Sequence, residues 1–163
     1  MSAFEQAFAI VVGTEGGYVD NPNDPGGATK YGVSHRAYPN VDIAALTLDL
    51  AHTIYRRDYW NRIRGDDLPP PLALLVFDAA INSGVSRAVM WLQTAVGTVP
   101  DGVIGPATLA AVQAHAGRGV AVATEFAAQR AVFTALLPTF RTFGLGWARR
   151  QAALPYHAME MRP

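Results

Sequence analysis

The chain has no cysteine, so disulfide frameworks, thiolate nucleophiles and cysteine-based metal sites are excluded. Net charge is also absent: 13 Lys and Arg residues offset 13 Asp and Glu residues, which argues against non-specific adhesion to DNA or anionic lipid. No apolar run approaches the roughly 18 residues that a bilayer span needs, and the opening Met1-Ser2-Ala3-Phe4-Glu5-Gln6 has no positive region of the kind that starts a secretory signal. GxGxxG and P-loop patterns are missing. His35, His52, His115 and His157 have no metal-ligand spacing, so no metal or other cofactor is expected. Neither Ser34 nor Ser83 sits in a nucleophile motif.

What is present suits one compact domain of 163 residues. Half of them are apolar and 16% charged, enough to build a buried core. Arginines cluster at Arg56, Arg57, Arg62 and Arg64 around Tyr59-Trp60, and again at Arg149-Arg150. They read either as a solvated face or as an electropositive wall for an anionic polymer.

Phe4, Phe8, Val11 and Val12 recur at helical spacing, predicting a first helix over 3–13 that stops at Gly16-Gly17. Asn21-Pro22 and Asp24-Pro25-Gly26-Gly27 predict a loop or short hairpin with its tip near Gly26-Gly27. Thr47 or Asp49 opens a helix through Tyr59, and Pro69-Pro70-Pro71 leads into a strongly apolar, central helix over 72–82 that Gly84 ends. Ser86 is placed as the cap of a helix over 87–96, and Pro106 starts another after the Asp101-Gly102 turn. An Ala-rich helix over about 120–140 meets Pro138, a short one covers 146–154, and the tail beyond Pro155 is expected to be loose. The result is mostly α with one small β element.

The chemistry concentrates between residues 15 and 32. Glu15 follows the first helix, where the negative end of the macrodipole and the neighbouring Tyr18 both favour a protonated carboxyl, the form a general acid needs. Asp24 lies nine positions further on and reads either as a turn residue before Pro25 or as a second carboxylate across a cleft. A pair of acids is the usual equipment for glycosidic cleavage: one protonates the leaving oxygen, the other activates water or stabilises the cationic sugar. Thr29 has a hydroxyl suited to holding that water, and Asp20 is the reserve carboxylate. Tyr18, Tyr31 and Trp60 offer ring faces for sugars or, equally, for the core, and Asp78 and Asn82 share one face of the central helix.

Glu15-Gly16-Gly17-Tyr18-Val19 and Asn21-Pro22-Asn23-Asp24-Pro25-Gly26-Gly27-Ala28-Thr29-Lys30-Tyr31-Gly32-Val33 together resemble the signature of glycoside hydrolase family 108. Asp58-Tyr59-Trp60, Arg64-Gly65-Asp66-Asp67-Leu68-Pro69 and Phe77-Asp78-Ala79-Ala80-Ile81-Asn82-Ser83-Gly84 resemble its middle and central segments. Leu92-Gln93 and Asp101-Gly102-Val103-Ile104-Gly105-Pro106 are similar to the predicted peptidoglycan-binding region that usually follows. The Glu–Asp–Thr order also resembles phage-type lysozymes, although four residues rather than their usual five separate Asp24 from Thr29.

The resemblance implies a mainly α, lysozyme-like α+β fold: a helical bundle-like lobe with a short β-hairpin beside the active-site cleft. It implies a single domain, with residues 1–68 as catalytic part and 69–163 as helical part, the latter including the peptidoglycan-binding region. The implied activity is that of an endolysin-type N-acetylmuramidase, with Glu15, Asp24 and Thr29 catalytic and Tyr18, Asp20, Tyr31, Trp60 and Asn82 touching substrate. The expected partner is the peptidoglycan glycan strand, met by a monomer without membrane insertion or nucleic acid. Synthesis in the cytoplasm without a leader would then require a holin or equivalent to reach the wall in the periplasm. The alternatives are a lytic transglycosylase, a chitinase-like hydrolase and a non-catalytic wall-binding module.

Overall fold

The computed structural model describes residues 1–13, 17–20 and 27–161. The first helix, α1 (Ala3–Val12), starts at a capping box: the Glu5 amide donates to Ser2 Oγ at 3.2 Å and the Ser2 amide returns a bond to Glu5 Oε2 at 2.7 Å. It ends where the predicted span over 3–13 ends, but on a different residue from the one expected to stop it. Gly13 takes φ +68° and donates its amide to Ala9 O at 3.0 Å, so the first available glycine ends the helix and not Gly16-Gly17.

The hairpin pairs β1 (Thr29–Lys30) with β2 (Val33–Ser34) in antiparallel register, Thr29 opposite Ser34. Its tip is Tyr31-Gly32, at φ +50° and +75°, the two positive values that a tight two-residue turn requires. The expected tip at Gly26-Gly27 is therefore displaced; Gly27 precedes the strands and Gly26 lies outside the described residues. A side chain at residue 32 would meet the Tyr55 hydroxyl, which donates to Tyr31 O at 3.1 Å and pins the turn to the helical lobe. Val19 and Thr29 exchange two backbone bonds of 2.8 Å each, adding a bridge to the outer edge of β1.

Thr47 caps α2 (Leu48–Tyr55) through a 3.2 Å bond from the Leu50 amide, as expected. The chain then widens into a π-helical turn, Arg56–Trp60, and a short 3₁₀ turn, Gly65–Asp67. Pro70 opens α3 (Pro70–Ser83), in which every residue from Ala73 to Ala80 is buried. Gly84, at φ +90°, ends α3 and directly opens α4 (Val85–Ala95). Ser86 thus lies inside the helix and does not cap it.

Pro106 starts α5 (Pro106–Ala114), and α6 (Gly119–Ala135) breaks before Pro138. The last helix, α7 (Phe140–Glu160), corrects the expectation of a short element and a loose tail. It runs through Pro155, with Leu154 and Ala158 buried 4% and 5% exposed on either side of the lost amide, so tertiary packing overrides the local break.

One core cluster extends from Phe4 to Met161, and α3 packs against α1, α4, α6 and α7. At its centre the fully buried Asp78 meets Arg130 Nη1 at 2.6 Å and Arg150 Nε at 2.6 Å, and Arg150 Nη2 continues to Val11 O at 3.4 Å. That arrangement ties α7 and α6 to α3 and to the last turn of α1. Asp78 is structural, and Arg150, although its side chain is 39% exposed, is tied to the buried carboxylate and not a free charge on a basic face.

Candidate active site

Four sequence-predicted residues come together at the hairpin. The isolated Val19–Thr29 bridge brings Tyr18 and Asp20, on either side of Val19, beside β1. Tyr18 is exposed and its hydroxyl reaches Asp20 Oδ2 at 3.4 Å; desolvation first, then the Asp20 charge, raises the phenol above its ordinary range. Thr29 is half-buried, with its hydroxyl donating to Gly27 O at 3.2 Å. Tyr31 occupies the turn, where Lys30 Nζ lies 5.6 Å from its ring centroid. Glu15 and Asp24 lie outside the described residues. In the chain they stand two residues past Gly13 and between Val19 and Thr29, so described backbone brackets each.

Trp60 is not a sugar platform. It is fully buried, with its ring 5.4 Å from Phe4 and 5.3 Å from Phe77, and its indole N–H donates to Asp66 Oδ1 at 2.9 Å. A large ring on the inward side of the π turn has more to gain from the core than from solvent. Asn82 is exposed at the end of α3, and its amide donates back to Asp78 O at 2.7 Å.

A polar cavity of about 610 Å³ lies where the turn that follows β2, at Ala37 and Tyr38, meets the π turn and the α3–α4 corner. Tyr38, Asp58, Tyr59, Arg62 and Arg87 line it, and Gly84 forms part of the corner. Tyr38 donates to Asp58 Oδ2 at 3.0 Å, while Arg57 grips both Asp58 oxygens at 2.7 Å. The Arg57 hydrogen bond, followed by that of Tyr38, holds the Asp58 carboxyl below its ordinary range even though burial pushes the other way. Asp58 is therefore an ionised hydrogen-bond acceptor at neutral pH and not a proton donor. Burial, then the neighbouring Tyr59 and Asp58, pushes the Tyr38 phenol far up, so it stays a neutral donor. Arg87 donates to Ser83 O at 2.9 Å and lies 4.3 Å over the Phe133 ring.

The sequence reading did not single out Tyr38 or Arg87, took Arg62 only as a member of the arginine cluster, and read Asp58 only as part of a family segment. The one available signal was the Asp58-Tyr59 pair amid arginines. Of the two readings of the arginine cluster, the electropositive wall is largely ruled out by pairing. Arg56 pairs with Asp66 at 2.5 Å, Arg57 with Asp58 at 2.7 Å and Arg64 with Asp67 at 2.8 Å, leaving Arg62 without an ion pair among the described residues. A second cavity of about 600 Å³, walled by Leu72, Leu75, Val112 and Val122, is almost wholly apolar and offers no carboxylate.

Residues 8–84 match the glycosyl hydrolase 108 family, and residues 87–152 match a predicted peptidoglycan domain. A solved structure, SagA of Brucella abortus, shares 41% identity with the chain, covering 96% of this chain and 94% of that one with a TM-score of 0.86. The chain belongs to the glycosyl hydrolase 108 family. It has a lysozyme-like fold and is a glycoside hydrolase that acts on peptidoglycan. No curated protein matches it. Among the described residues no helix is long and apolar enough to cross a membrane.

Proposed function

We propose that this member of the family is an N-acetylmuramidase that cleaves the β-1,4 bond between N-acetylmuramic acid and N-acetylglucosamine, with Glu15 as general acid. The observation that carries this reading is the stop of α1 at the left-handed Gly13. In the chain Glu15 follows two residues beyond that stop, just past the negative end of the helix dipole. A carboxyl held there is favoured in its protonated form and donates to the departing glycosidic oxygen.

Asp24, carried between the paired residues Val19 and Thr29, activates water or stabilises the oxocarbenium-like sugar, and Thr29 helps to hold that water. The polar cavity between the π turn and the α3–α4 corner receives the glycan. In it Tyr38 and Asp58 supply a neutral donor and an ionised acceptor, suited to hydroxyl and acetamido groups. Tyr18, Asp20, Tyr31 and Asn82 border the strand. The enzyme works as a monomeric single domain in a lytic setting, reaching the wall with the aid of a holin or equivalent.

The test is the chemistry of the released ends. Peptidoglycan digested with the purified protein and analysed by mass spectrometry yields reducing muramic-acid ends if the proposal holds. Anhydro-muramic ends would assign a transglycosylase instead, and reducing glucosamine ends a different bond.

A further inference from the structure

One face of α7 changes character along the helix. Ala158, Leu154 and Arg150 follow each other at helical spacing and pack inward, with Leu154 and Ala158 buried and Arg150 bound to Asp78 and Val11. The same stripe continues to Trp147, Phe143 and Phe140, and there it emerges: Phe143 is 55% exposed and Phe140 38%. The rings form a group, Phe143 at 6.1 Å and Phe140 at 6.4 Å from Trp147 between centroids. Gly144 makes this possible. A Cβ at that position would come within 2.7 Å of the Phe140 ring, so any other residue there would displace the ring from its present position. A glycine inside a helix costs about 1 kcal/mol relative to alanine, and here it leaves room for the Phe140 ring, which is tilted 48° from Trp147 while Phe143 is tilted 36° from it.

The placement is informative. Arg150 touches the last turn of α1, and at 1.5 Å per residue Trp147 lies about 5 Å and Phe140 about 15 Å further along the helix axis. The aromatic surface thus starts within about one turn of the segment that leads to Glu15. No Asp or Glu occurs between Glu125 and Glu160, and Arg141 and Arg149 are exposed without an ion pair among the described residues. The matched peptidoglycan domain, residues 87–152, contains all three rings. Pyranose C–H faces pack on aromatic rings, and stem-peptide carboxylates suit unpaired arginines.

We propose that Phe140, Phe143 and Trp147 form a saccharide platform that holds a peptidoglycan strand as it approaches the Glu15 loop. This rests on the muramidase reading only for what the strand approaches; the binding itself is separable from turnover.

The test uses the full chain carrying Glu15→Gln, titrated with soluble peptidoglycan strands that retain their stem peptides. Trp60 and Trp91 are 0% and 8% exposed, so Trp147 is the tryptophan open to ligand. A saturable fluorescence change is expected that Trp147→Phe greatly reduces. By calorimetry Phe143→Ala and Phe140→Ala are expected to weaken binding by about two- to tenfold each, as the loss of a ring contact implies. Phe143→Leu, which keeps apolar bulk but no ring, is expected to weaken it as well while leaving the thermal midpoint in place. Unchanged affinity in these folded variants would overturn the proposal, as would saturable binding to phosphatidylglycerol vesicles with none to glycan strands. Should Glu15→Gln retain hydrolysis, the muramidase reading falls while the binding result still decides the platform.

Discussion

Asp78 concentrates more structure than any other single side chain. Its carboxylate is fully buried between Arg130 and Arg150, from helices that no local pattern connects. Asp78→Ala leaves Arg130, itself 5% exposed, without its counter-charge, and is expected to cost about 3–5 kcal/mol in urea unfolding, the range for breaking a buried pair from one side. A smaller loss than about 1 kcal/mol would mean that Arg130 finds water or another partner. Asp58 makes a different prediction, in pH. Its folded pKa is depressed by Arg57 and Tyr38, so its stabilisation is present in full above the ordinary aspartate range and is lost as pH falls through the depressed value. The stability gap between wild type and Asp58→Asn, measured by thermal unfolding, is therefore expected to be largest near neutrality and to close in acid. At this scale the sequence was partly legible. Asp78 and Asn82 were correctly seen to share a face of α3, but a buried carboxylate does not announce arginines 52 and 72 residues away. Trp60 was left open between sugar face and core, because a ring flanked by four arginines has no local signal for its direction until the π turn aims it inward.

Local chemistry decided which elements were readable. Thr47, Pro70 and Pro106 begin helices through caps and ring geometry that act within a few residues; Pro106 was anticipated, Thr47 was one of two candidates, and α3 starts at Pro70, two residues ahead of the predicted span over 72–82. Where two local signals competed, or where distant packing intervened, the reading failed. Gly13 ends α1 ahead of Gly16-Gly17, and Tyr31-Gly32 turns the hairpin because the Tyr55 hydroxyl fixes its carbonyl from another element. Helix α7 continues past Pro155 because its neighbours are buried. Gln93 shows the same limit within the peptidoglycan domain. Its buried amide donates to Asp101 Oδ1 at 2.6 Å, Val103 O at 3.0 Å and Thr108 Oγ1 at 3.1 Å, and accepts from the Gly102 amide at 2.8 Å. The Asp101-Gly102 turn is thus knotted to α4 and serves as structure. Gln93→Leu strands these partners and is expected to destabilise by about 2–3 kcal/mol in chemical denaturation. An unaltered midpoint would show that the turn holds itself.

Across the whole molecule, the two family segments meet on a shared core. Because α3 packs against α1 on one side and α4, α6 and α7 on others, neither segment encloses its own apolar surface. Differential scanning calorimetry is expected to show one transition with equal calorimetric and van't Hoff enthalpies, whereas separable lobes would give two. The family and the lysozyme-like architecture were legible because the Glu15 loop and the glycine and proline punctuation are dense in chemistry. The polar cavity was not, since Tyr38, Asp58 and Arg87 come from three separate stretches that only the fold brings together. The most direct test of the whole account is the rate of peptidoglycan hydrolysis by wild type and Glu15→Gln at matched folding, checked by circular dichroism. A loss of about 10²–10⁴-fold is predicted, the contribution of a general acid; a variant that still hydrolyses peptidoglycan at the wild-type rate would contradict it.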